Sequence, residues 1–373
     1  MAMERGGDRG GSMQGEREIA DEQAGQAARV CEAVNADFGE GVRGARIRLE
    51  CEGAVGTAPE ISKPRVTVRD VNGSGARAAL LKLLAFPAVM LSRAKQAEAS
   101  GADADRVVVA RARGGATAIV ESLRGVACVG AKPRALAVRV VWPETSGAED
   151  LECVRRTLCQ AADATRELGV SLEEILVADV ADGGGEAIAA GEIREGTNGV
   201  GSFAREAGER LVVLGEAPSE IEGSRFLEAV HGLTSGAVAI EDWAAEKRLH
   251  EVLRTLTSAR VITSARGVGE GGLMTAVCGM LLGGERAWGA RLDLTPLGGA
   301  RADALLFGEG GSRAVVEVAA DRVGTVISEA HLHGVPAALI GEVTADDVLD
   351  LKTRSLATTW NVGELRKAWG IAG

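Results

Sequence analysis

The sequence predicts an α/β chain built on mixed sheets, and three observations predict it. Short apolar runs of strand length alternate with amphipathic runs of helix length from Arg106 to Val343. Glycine-rich turns separate them, most densely in Arg260–Leu294. Hydrophobic residues make up 46% of the 373, enough for two or three lobes with cores of their own. Right-handed crossovers are expected where helices join strands. A net charge of −11 argues against nucleic acid or an anionic membrane as partner, because phosphate is met by a basic face. No run of about 18 apolar residues and no signal-peptide pattern is present, so a soluble, cytoplasmic protein is expected.

Residues 1–60 read as a poorly defined extension, disordered over the first 25. Ala78–Leu91 reads as a helix and Arg106–Ala110 as a strand. The helix Ala116–Val129 turns Ile119, Val120, Leu123 and Val126 inward, and Lys132-Pro133 ends it before strand Ala135–Val141. Ala148–Leu168 is a long amphipathic helix stopped by Gly169. Strand Glu174–Val180 and a glycine-rich loop, Asp182–Gly201, close an N-terminal lobe at 61–204. The C-terminal lobe, 205–350, reads as strand Leu211–Gly215, helices Ser219–Val230 and Trp243–Leu256, and strand Val261–Ser264. A helix carrying Leu273, Val277, Met280 and Leu281 on one face comes next, then strands Ala290–Leu294 and Ser312–Val318, helix Asp321–Leu332 and strand Ala337–Val343. Residues 351–373 read as a tail.

The glycines at 267, 269, 271 and 272 let the chain turn sharply between a strand and a helix. Backbone N–H groups gathered at a helix start can hold phosphate; the other reading is a tight packing turn, and Glu270 would repel an anion there. Six cysteines (Cys31, Cys51, Cys128, Cys153, Cys159 and Cys278) lack C-x-x-C spacing and read as reduced thiols. The four histidines form no metal pattern, and His331 and His333 are expected to flank a helix end.

Four segments carry a family resemblance. SARGVGEGGL, from Ser264, resembles the S-A-H-D-V-S-[D/E]-G-G-L element of phosphoribosylformylglycinamidine synthase, an ATP-dependent purine-biosynthesis ligase of the aminoimidazole-ribonucleotide-synthetase-like superfamily. GERLVVLGEAPSEIEGSRF, from Gly208, is similar to its G-D-x-I-x-L-L-G-E-T-x-x-E-L-G-G-S-x-Y. Leu306–Thr344 is similar to its L-F-G-E-x-x-S-R and G-V-P-A-x-x-I-G-E-V-T segments. GGATAIVESLRGVACVGAKPRALAV, from Gly114, resembles its G-A-x-x-A-V-x-E-A-x-x-N-[V/I]-A-x-x-G-A-x-P-L-A-V stretch. Order and spacing match the second of that enzyme's two repeats, which implies a module with a truncated N-terminal lobe and a more complete C-terminal one.

The resemblance implies ATP or ADP with magnesium as ligands. Gly267, Gly269, Gly271, Gly272, Ser312 and Arg313 are then the candidate nucleotide-binding residues, although an arginine so placed most often braces a carboxylate such as Glu309. Glu121 is the remnant of the family's magnesium site. Its asparagine partner position is Gly125, and the His-Asp pair is Arg266-Gly267, so two oxygen donors are gone and a lone glutamate holds magnesium poorly. Arg266 either supplies a positive charge for an anion or pairs with Glu270, and the pairing is the arrangement expected of a long side chain on a turn. Asp179, Asp182 and Glu186 form either a replacement acidic site or a solvated loop. With no glutaminase of its own, the chain implies an outside ammonia source, and a homodimer or a first-repeat half as partner. Two alternatives remain: a non-catalytic subunit, and a dinucleotide-binding oxidoreductase. The second rests on G-x-G-x-x-G at Gly267–Gly272 with Asp293 21 residues on.

Overall fold

The computed structural model describes residues 68–86, 97–100, 106–113, 116–142, 148–179, 185–193, 196–233, 242–298 and 301–371. Expectations for residues 1–67, Pro87–Leu91, Asp182, Cys31 and Cys51 lie outside them.

Valine- and alanine-rich runs build a five-stranded sheet from β1 (Ala97–Ser100), β2 (Arg106–Arg113), β3 (Lys132–Trp142), β4 (Ser171–Asp179) and β5 (Glu186–Ile193). Its order is β1-β2-β5-β3-β4. Helices α2 (Ala116–Cys128) and α3 (Ala148–Leu168) cover one face. Ile119, Val120, Leu123 and Val126 of α2 are buried there against Val108, Leu136, Val138 and Ala189, as their spacing predicts. Strand β5 corrects the sequence reading, which left it inside a loop. EAIAAGEI has little β propensity of its own, but it pairs on both sides, with β2 and β3. Gly191 lets it approach closely, since a Cβ there would lie 2.4 Å from the Lys132 carbonyl oxygen. Pro133 falls inside β3 beside a register shift, the position at which a sheet accepts proline.

The second sheet has seven strands in the order β12-β11-β8-β10-β6-β9-β7. They are β6 (Arg210–Leu214), β7 (Ile262–Gly267), β8 (Gly289–Asp293), β9 (Ala314–Val318), β10 (Ala337–Thr344), β11 (Val348–Lys352) and β12 (Ala357–Asn361). Among the described strands only β8 with β11, and β3 with β4 in the first sheet, pair in parallel. The expected series of crossovers is therefore reduced to the β3-α3-β4 unit, and antiparallel pairing carries the rest.

Helices cover both faces of this sheet. On one side α5 (Trp243–Ser258) and α8 (Val323–Leu332) bury Leu253, Leu256 and Val326 against Val212, Val316 and Ile262. On the other lie α1 (Gly73–Leu84), α4 (Arg225–His231), α6 (Gly272–Leu282), α7 (Ala302–Phe307) and α9 (Val362–Ala368). Helix α6 is buried all round, so the apolar face seen in its sequence is only part of what it packs. The helix expected at Ser219–Val230 is confined to α4, because Gly223 adopts φ +71° just before it. His331 lies in the last turn of α8 and His333 caps it. The stretch read as a tail completes β11 and supplies β12 and α9, whose Trp360 and Trp369 are fully buried. Among the described residues no helix is long and apolar enough to cross a membrane.

Trp360 ties β12 to α1, its indole Nε1 donating to the Arg77 carbonyl at 3.1 Å. Trp360→Ala should cost about 3–5 kcal/mol of unfolding free energy in urea titrations; a loss under about 1 kcal/mol would mean that the C-terminal segment is not part of the core.

Candidate functional site

The site is the turn from Gly267 to Gly272, where the edge strand β7 hands the chain to α6 beneath the N-terminal lobe. Gly271 and Gly272 sit at φ +78° and +71°, which L side chains rarely adopt. The other constraint is close approach. A Cβ on Gly269 would lie 2.4 Å from Glu121 Oε1, and one on Gly272 would lie 2.6 Å from the Phe307 carbonyl carbon. These glycines admit a carboxylate and the end of α7.

Four of the turn's N–H groups are already engaged. Val268 donates to the Arg313 carbonyl at 2.9 Å and Gly272 to the Gly269 carbonyl at 2.9 Å. Glu270 N–H donates to Glu121 Oε1 at 2.9 Å and Gly271 N–H to Glu309 Oε1 at 2.8 Å. Of the two readings the sequence offered, a phosphate cradle and a packing turn, these contacts are of the packing kind at Glu270 and Gly271. Thr275 Oγ1 donates to the Gly271 carbonyl at 2.9 Å.

The surrounding charges also differ from expectation. Glu270 pairs with Arg225, whose Nε and Nη2 donate to it at 3.0 and 2.9 Å. Arg266 does not take that role: it is buried, with its guanidinium against α6, where a Cβ on Gly279 would lie 2.4 Å from Nε. Burial brings its pKa down to about 10, so it remains a cation at neutral pH, its charge felt by Cys128, Glu121 and Cys278. Burial pushes both thiols up to about 12, so they are inert at neutral pH. Arg313 was expected to brace Glu309; its guanidinium donates to the carbonyls of Gly308 and Gly310 at 2.5 and 3.2 Å. Glu309 instead accepts Arg225 N–H at 2.7 Å as well as Gly271 N–H. Burial pushes its carboxyl up to about 8, against the pull of those two N–H groups. The hydroxyl of Ser312 is buried without a hydrogen-bond partner.

These residues do not fit a magnesium ion. Burial and the charges of Glu270 and Glu309 raise the Glu121 carboxyl well above the usual carboxylate range, while Arg124 opposes them. Gly125 has no side chain to offer an oxygen. Asp179 and Glu186 lie on β4 and β5, which flank β3 and so stand apart, and Glu186 faces Arg111 at 3.3 Å. Among the described residues no three His, Cys, Asp or Glu side chains come together as a metal site.

One buried charged group at the site has no signature in consecutive residues. Arg124 of α2 donates through Nε and Nη2 to both oxygens of Glu246 on α5, at 2.9 and 2.6 Å, and through Nη1 to the Val268 carbonyl at 2.7 Å. His250 Nε2 meets Glu246 Oε1 at 2.9 Å. Burial alone would raise the Glu246 carboxyl; Arg124, with His250, reverses this and holds it far below the usual range. The partners are 122 residues apart, and the only sequence signal is a Glu-x-x-x-His pair on an otherwise apolar helix face.

A dinucleotide site is excluded by the sheet itself. Such a site needs parallel strands on both sides of the turn. Here β7 is an edge strand antiparallel to β9, and the exposed Asp293 carboxylate accepts Thr295 N–H at 2.9 Å.

Comparison with known proteins agrees with this architecture. The family model "AIR synthase related protein, N-terminal domain" matches residues 87–189, and the corresponding C-terminal domain model matches 206–354. Phosphoribosylformylglycinamidine synthase subunit PurL of Methanopyrus kandleri is 31% identical over 260 residues, 67% of this chain and 35% of the relative. The same subunit of Chlorobaculum tepidum is 30% identical over 273 residues, 69% of this chain and 36% of the relative. The chain therefore spans about a third of the curated relatives it matches. Among solved structures, T. maritima PurL complexed with FGAR superposes with a TM-score of 0.61 at 18% identity, over 78% of this chain and 53% of that one. The hydrogenase-maturation complex HypE-HypF gives 0.52 at 18% identity, over 70% and 92%. These likenesses show a shared fold.

Two outcomes test the site. Arg124→Met, which leaves Glu246 buried without its cation, should cost about 3–5 kcal/mol, and adding Glu246→Leu should restore most of it; an unrestored double variant would contradict the pairing. The second concerns pH. A glutamate ordinarily ionises near 4.5, whereas folded Glu309 keeps its proton to about 8. Folding takes up a proton between those values, so this contribution to stability is full below 4.5 and is lost as pH rises toward 8. Glu309→Gln should flatten the fall in urea midpoint between about pH 5 and 8. A slope equal to the parent's would remove Glu309 as its source.

Proposed function

We infer, for a chain that belongs to the AIR synthase related family, that it is a phosphoribosylformylglycinamidine synthase-like module of purine biosynthesis, equivalent to the second half of the ligase and without ligase activity alone. The order of lobes and the sequence likeness to PurL subunits support the pathway. One observation carries the lack of independent activity: the turn from Gly267 to Gly272 is occupied by Glu121 and Glu309, so the nucleotide-facing end of the module is closed by its own side chains.

The family reaction joins ammonia to formylglycinamide ribonucleotide, ATP activating the amide oxygen by phosphorylation and an amidine resulting. Solved PurL structures carry FGAR, ATP or ADP, and a PurLQS structure exists, in keeping with partner subunits. In this reading the substrate and the reacting nucleotide are held by a first-repeat partner or a second copy joined through the N-terminal lobe, ammonia comes from a glutaminase subunit, and the present chain supplies the covering half. The five-stranded sheet with α2 and α3 is then the joining lobe, and the seven-stranded sheet with α1 and α4 to α9 the scaffold. The second reading, a non-catalytic subunit, is favoured by the missing oxygen donors at Gly125 and Gly267.

Ammonia-dependent amidine formation tests this with the purified chain, alone and with a first-repeat half. No product alone and product in the mixture is the expected result. Product from the chain alone contradicts it, and product in neither selects the non-catalytic subunit.

A further inference from the structure

Two side chains one turn apart on α2 reach from the N-terminal lobe and hold the same turn of the C-terminal lobe. Glu121 accepts Glu270 N–H at 2.9 Å, and Arg124 donates to the Val268 carbonyl at 2.7 Å. Gly269, between them, lies so close to the Glu121 carboxylate that no side chain would fit. Arg124 is fixed in orientation by its two hydrogen bonds to Glu246, which comes from a different helix. From the far side Glu309 takes the N–H of Gly271 and ties it to Arg225 at the start of α4. The turn thus receives carboxyl oxygens on two N–H groups and a guanidinium on a carbonyl, all from the chain itself.

A bound phosphate and its metal ion do the same work in a nucleotide site: phosphate oxygens accept N–H bonds at a helix start, and the cation balances the charge. Here two of those N–H groups meet carboxyl oxygens of the chain, no metal-ligating cluster occurs among the described residues, and the cations are guanidinium groups. Arg266, where the family has a histidine, adds a second buried cation, fixed against Gly279.

We infer that Glu121, Glu309 and Arg124 replace a nucleotide phosphate and its metal ion as the bridge between the two lobes, leaving the junction closed without a ligand. What is replaced rests on the synthase-like reading of the module; what replaces it rests on the geometry of this turn.

Thermal unfolding of the full chain tests the proposal in two arms. With ADP plus magnesium, with inorganic phosphate, or with EDTA, the Tm should move by less than about 1 °C, whereas a ligand held at a hundred times its Kd raises it by several degrees. A magnesium-dependent rise with ADP overturns the proposal and leaves the amidine assay to judge the synthase reading separately. In the second arm Gly269→Ala should lower the Tm by several degrees in the parent and by much less in a Glu121→Ala background, where the clashing carboxylate is gone. Equal losses in both backgrounds overturn the clamp, and if either alanine variant fails to fold, the ligand arm alone decides.

Discussion

A guanidinium taken out of water must meet a carboxylate and have its remaining N–H groups satisfied, and Arg124 meets that demand by joining three pieces of chain at once. Its partner Glu246 belongs to α5, its third contact is the carbonyl of Val268, and its own helix is the core of the N-terminal lobe. Neither charge tolerates loss of the other. At the junction of the two lobes these oriented polar bonds lie among apolar contacts, with Trp243 in the N-terminal core and Ala127 and Cys128 in the core beneath α5.

That geometry determines what the glycine turn can do. In an open turn at a helix start, unpaired N–H groups attract phosphate. Here Glu121 and Glu309 have taken two of those groups, and the glycines are required because the carboxylate and α7 come so near. A third carboxyl group is held in the same fashion nearby: Glu317 accepts Arg205 N–H at 2.9 Å and the Ser264 hydroxyl at 2.9 Å, binding a loop to β7 and β9. Carboxyl groups bonded to backbone N–H groups thus hold the chain at both places.

Sequence reading recovered the parts governed by local physics. The inward face of α2, the span of α3 and the strand-turn-helix around Gly267 were legible because periodicity and glycine punctuation are written in consecutive residues. Strand β5 was not, because alanine and glycine carry no strand signature and only pairing with two neighbours makes EAIAAGEI a strand. The C-terminal strands were missed for a related reason: VLDLK and ATTWN are short, and their place is set by β8 and by the pocket that receives Trp360. At the site, Glu121 and the glycines were visible as a degraded motif. Their mutual engagement, the pairing of Arg225 with Glu270 and the bond from Arg124 to Glu246 depend on approaches across 45 to 149 residues, which no local pattern encodes.

Hydrogen–deuterium exchange at the amides of Glu270 and Gly271, with and without ADP and magnesium, tests the central claim most directly. Both amides should be strongly protected in the ligand-free protein and unchanged by nucleotide, because Glu121 and Glu309 already hold them. Fast exchange without ligand, followed by protection on adding ADP and magnesium, would show an open cradle and contradict the account.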